Sequence, residues 1–72
     1  MHVLVEIDGL TVRCPQDEVD RVRSLVRAAE GTGEVPGKVL VLLFSWHRER
    51  HRTTPLATAL GWLGATVVEK DG

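Results

Sequence analysis

The sequence predicts an α+β fold: a two-layer sandwich with two helices on one face of a mixed sheet of three or four strands. Three observations predict it. Lys38 to Trp46, KVLVLLFSW, holds seven apolar residues in nine, between Pro36-Gly37 and a charged segment. A Val/Leu run of that length reads as a strand buried on both faces. Two other stretches carry apolar residues at helical spacing, and β-prone runs lie at both ends of the chain.

Taken in order, Val3 to Ile7 (VLVEI) is β-prone, Asp8-Gly9 follows, and Leu10 to Cys14 (LTVRC) is β-prone again. Asp-Gly between two such runs predicts a hairpin, because a type I′ turn needs φ > 0 at both central residues. One strand followed by a loop to Cys14 is the alternative. Pro15 then starts a helix, where its missing N–H costs nothing, and Asp17 and Glu18 favour the positive helix start. Val19, Val22, Leu25, Val26 and Ala29 form its apolar stripe, and Gly31 and Gly33 end it. Glu34 to Gly37 lead into the 38–46 strand. His47 to Arg52, HRERHR, has no apolar period and reads as a loop. Thr54-Pro55 opens a second helix with Leu56, Ala59, Leu60 and Leu63 inward and Gly64 as its stop. Ala65 to Glu69 is a last strand, and Lys70 to Gly72 is a tail.

The order is ββαβαβ, or βαβαβ if the hairpin is a single strand. Strand–helix–strand units cross over right-handedly. If both crossovers join parallel strands, the two helix starts share the sheet edge where ligands of open α/β sheets bind. Cys14 and the Arg/His loop would then be neighbours.

The 72 residues make one small domain, 1–72. At that size a single core supplies only about 3–5 kcal/mol. One cysteine excludes an internal disulfide, so a homodimer is the expected supplement. Nine basic and ten acidic side chains give a net charge of −1. No global field then attracts nucleic acid or an anionic membrane, and neither is an expected partner. MHVLVEID lacks the basic start and apolar run of a signal peptide, and no apolar run approaches the roughly 20 residues of a membrane span. The expectation is a cytoplasmic protein with a free thiol.

Two groups of residues carry chemistry. Cys14 precedes a helix start, where free N–H groups stabilise a thiolate, and Arg13 with Arg48, Arg50 and Arg52 would lower its pKa further. The competing reading makes Cys14 a small buried core residue, as most free cysteines are. The loop His47, Arg48, Arg50, His51 and Arg52 leads toward a helix start and offers charged donors to an anion or to the acidic surface of a partner. Its competing reading is a solvated loop. The spacing of His47 and His51 resembles a metal pair on a helix, but no helical pattern or third ligand accompanies it, so no metal is expected. No phosphate-binding glycine loop or cofactor motif is present. Trp46 and Trp62 read as core or rim packing, or as part of a dimer contact.

The stretch D-G-L-T-V-R-C-P from Asp8, the valine-striped helix, the GK-led apolar run, the second helix and the GATVVE strand together resemble the TusA/SirA-like sulfur-carrier family, over Asp8 to Glu69. The family's Cys-Pro-x-Pro motif is matched at Cys14-Pro15, with Asp17 in place of the second proline. His47 to Arg52 replace an acidic segment, and the family's final strand has no counterpart. The resemblance implies a carrier rather than a stand-alone enzyme, without a cofactor. In it, Cys14 relays a persulfide sulfur between a sulfurtransferase and a sulfur-accepting enzyme. The amino-terminal strand would fill the vacant sheet edge. The alternative is a non-catalytic dimeric interaction module that docks an acidic partner or anion through residues 47–52. A nucleic-acid-binding accessory is a third reading.

Overall fold

The hairpin predicted at Asp8-Gly9 is where the chain's largest sheet begins. In the computed structural model, which describes residues 1–70, β1 (His2–Ile7) and β2 (Leu10–Pro15) pair antiparallel, with Ile7 opposite Leu10 and Val3 opposite Cys14. Asp8 and Gly9 have φ of 50° and 87°, the double positive φ of a type I′ turn. Alternation along the strands sends Val3, Val5, Ile7, Val12 and Cys14 inward, while Leu4 and Arg13 face out. A short 3₁₀ turn, Gln16–Glu18, leads into α1 (Val19–Ala28), which buries Val22, Leu25 and Val26. Gly31 and Gly33, both at positive φ, turn the chain out of the helix.

The chain continues through β3 (Glu34–Val35), α2 (Gly37–Leu43), β4 (Thr54–Pro55), α3 (Leu56–Trp62) and β5 (Thr66–Lys70). β5 pairs antiparallel with β2, giving the order β1-β2-β5, and β3 pairs antiparallel with β4 in a separate two-residue ladder. One core joins the layers. Val12, Cys14, Val22, Leu25, Val35, Leu40, Ala59 and Leu60 are fully enclosed. The α+β class is as expected, and β1 and β5 form the two edges of the three-stranded sheet.

Four details are corrected. The run from Lys38, expected as the central strand, is helical from Gly37 to Leu43. The described residues therefore carry three α-helices rather than two. The sheet is antiparallel rather than mixed, so the parallel crossovers that would set the two helix starts side by side are not formed. Thr54-Pro55 does lead directly into a helix at Leu56, but it also forms a two-residue ladder strand and gives the helix no side-chain cap. The last strand falls at Thr66–Lys70, and of the expected tail Asp71 and Gly72 lie outside the described residues.

The helix at 37–43 has an identifiable physical basis. A short apolar run is ambiguous by periodicity alone. Pro36, at φ −62° and ψ 143°, sets the helix entry as its N-cap residue. Gly37, Leu40 and Phe44 are buried at helical spacing, whereas Lys38 and Leu42, one turn apart, are exposed. Arg21 ties this segment to α1. Its guanidinium donates to both carboxylate oxygens of Glu18 at 2.7 and 2.5 Å and to the Leu43 carbonyl at 3.0 Å. It also lies 5.5 Å from the centre of the Phe44 ring. Arg21 thus satisfies a carbonyl at the end of α2 that has no partner within the helix.

Candidate functional site

Cys14 lies in β2, not at a helix start. Its side chain is fully buried and stands opposite Val3 in the strand pair. The backbone N–H of Gln16 donates to the Met1 carbonyl at 2.9 Å, so the chain after the thiol is held by strand-like pairing. α1 begins only at Val19. Burial pushes the thiol pKa up from its ordinary 9.0, and the nearby Glu18 carboxylate adds to the rise. Arg13, on the opposite face of the same strand, is exposed. The charge that reaches Cys14 is therefore acidic, the reverse of what activates a thiolate.

The Arg/His loop is fixed at both ends. At its start the His47 N–H donates to the Phe44 carbonyl at 3.0 Å. At its end Thr53 Oγ1 donates to a Glu34 carboxylate oxygen at 2.5 Å, and the β3–β4 ladder begins one residue later. Between these points the loop backbone crosses directly over Gly37. A methyl group there would collide with the carbonyls of Glu49 and Arg50. Glycine is required at this position because of space, since its φ is not positive.

Arg48, Glu49, Arg50, His51 and Arg52 line an open depression of about 470 Å³. Glu49 pairs with Arg52 at 3.5 Å. Among the described residues no carboxylate pairs with Arg48 or Arg50. The depression thus carries two uncompensated guanidiniums on a backbone held in place. The expected contribution of a helix start is not available: α3 follows β4, and the Leu56 N–H is already donated to the Gly33 carbonyl at 3.0 Å.

His47 belongs elsewhere. Its ring lies 5.7 Å from both Trp46 and Trp62, and its Nε2 is enclosed without a hydrogen-bond partner among the described residues. Trp46 and Trp62 meet edge-to-face at 4.9 Å, and both contact Phe44 at 5.4 Å. These are the favoured geometries for aromatic pairs. The indoles remain 57% and 39% exposed, so the cluster forms an aromatic surface next to the loop in the chain. Sequence reasoning left both tryptophans open between core and rim packing and missed that they meet. The available signal was that Trp62 lies off the apolar stripe of its helix and Trp46 adjoins the charged run, so neither had a seat in the core.

The described residues hold no group of three His, Cys, Asp or Glu placed to bind a metal, and no helix long and apolar enough to cross a membrane. No protein-family model, curated protein or solved structure matches this chain.

Proposed function

We propose that this chain is a non-catalytic interaction module that docks an acidic surface. Arg48 and Arg50 supply the charge, His51 and Arg52 border the depression, and the Trp46/Trp62 pair supplies apolar area. The observation that carries this reading is the pinned loop. Its backbone packs on Gly37, and two of its arginines have no carboxylate partner among the described residues. Arginine beside exposed tryptophan is also the composition enriched where protein interfaces concentrate their energy.

The test is a titration with an acidic peptide, read by the fluorescence of the two tryptophans. Binding is expected at low salt, weakening as salt rises. Arg48→Glu combined with Arg50→Glu should weaken it at least about a hundredfold, since each hydrogen bond to a charged group is worth about 1.5–3 kcal/mol. No response from the parent chain at low salt overturns the reading.

A persulfide relay on Cys14, the chemistry implied by the sulfur-carrier resemblance, is the second proposal. Its support is the Cys14-Pro15 sequence match, and it requires the end of β2 to open. Against it stand full burial and the raised thiol pKa. We expect the native thiol to alkylate at neutral pH only as fast as the fold opens, and far more slowly than the unfolded chain. Rapid native alkylation, with a stable gain of one sulfur from a persulfide donor that Cys14→Ser abolishes, would establish the relay instead.

A further inference from the structure

A second surface, of opposite sign, lies on the other side of the β3–β4 ladder. Leu10, Val26, Leu56 and Val67 line a groove of about 440 Å³, with Asp8 and Glu30 among its lining residues and no lysine or arginine among the described ones. These apolar side chains come from β2, α1, α3 and β5, so the groove is built by the whole fold rather than by one loop. Its volume falls within the roughly 300–1,000 Å³ of ligand pockets. An apolar floor with two carboxylates calls for an apolar side chain accompanied by cations. The chain itself carries such a segment in Trp46-His47-Arg48-Glu49-Arg50, with Trp46 more than half exposed.

The groove and the loop are close. Gly33 lines the groove and Gly37 lies under the loop backbone. Four residues span at most about 14 Å. A basic and an acidic surface that near each other on one chain can be matched twice by a two-fold axis, each copy giving its loop and receiving its partner's. The net charge of −1 leaves little general repulsion between copies.

We propose that the acidic surface read by the loop is that of a second copy of this chain. In the resulting dimer, Trp46 seats in the partner's apolar groove and Arg48 and Arg50 meet its Asp8 and Glu30. This rests on the docking role given to the loop above and names its partner.

Sedimentation of the full chain at low and high salt tests it, together with two charge-altered variants. Asp8→Asn with Glu30→Lys removes the groove's acidity while keeping a residue that tolerates the positive φ of the turn. Arg48→Glu with Arg50→Glu reverses the loop. The parent should dimerise and dissociate at high salt; the loop variant alone should lose at least about a hundredfold in dimer affinity and the groove variant alone at least about tenfold. An equimolar mixture should recover a heterodimer, because each variant then meets the opposite sign at both contacts. That recovery also shows that both variants fold. A parent that stays monomeric at low salt, a dimer indifferent to both variants, or a mixture that does not associate overturns the proposal. A monomer that still binds the acidic peptide through Arg48 and Arg50 overturns the dimer and leaves the docking role intact. A monomer whose groove takes a foreign Trp/Arg peptide assigns the groove to another partner and likewise overturns it.

Discussion

Leu40→Ala will unfold a large fraction of the chain, whereas Leu42→Ala, two residues away, will leave its stability almost unchanged. Leu40 is fully enclosed in the core and Leu42 is 85% exposed. Truncating a buried leucine costs about 2–5 kcal/mol, the transfer free energy of the lost atoms plus the cavity they leave. That is comparable with the whole of the roughly 3–5 kcal/mol a core of this size supplies. Truncating an exposed leucine falls within about 0.5 kcal/mol of neutral. Urea unfolding followed by far-UV circular dichroism measures both. The pair discriminates sharply, because in a strand buried on both faces Leu40 and Leu42 would share one face and both substitutions would be costly. Similar losses at the two positions would mean that 37–43 is not the helix described here.

The same segment shows where the sequence stops being informative. KVLVLLF contains the residues of a buried strand, but also three leucines, good helix formers, behind a proline that sets a helix entry. Seven apolar residues at nine positions leave no periodicity to choose between them. The choice is made by distant groups: Arg21, which satisfies the Leu43 carbonyl, and the loop backbone that needs the bare Cα of Gly37. Elements with local chemistry were legible. Asp8-Gly9 specifies its own turn, and the stripe from Val19 to Ala29 specifies its own buried face. The basic loop was legible as charge, though its immobilisation was not. Cys14 was the reverse case. Its sequence neighbours Arg13 and Pro15 suggested an activated thiol, but strand alternation turns Arg13 away and leaves burial and Glu18 to act on the sulfur.

Gly37→Ala will separate the loop's scaffold from its charge. Every arginine remains, yet the added methyl would collide with the Glu49 and Arg50 carbonyls, which are backbone and cannot rotate aside. Overpacking of this kind costs about 1–3 kcal/mol, and relief comes most readily from lifting the loop off α2. The expected result is a lower urea midpoint, with affinity for the acidic peptide reduced by at least about tenfold, since an unpinned loop must be ordered again on binding. Gly61→Ala is the matching control. Gly61 lies within α3 with nothing near its missing Cβ and no positive φ, so alanine there should stabilise by about 0.5–1 kcal/mol and leave binding unchanged. The comparison removes general glycine effects and isolates the close approach. If Gly37→Ala retained full affinity, the arginines would act as a solvated charge cluster rather than as a preorganised surface. Steep salt dependence would then be the loop's only signature.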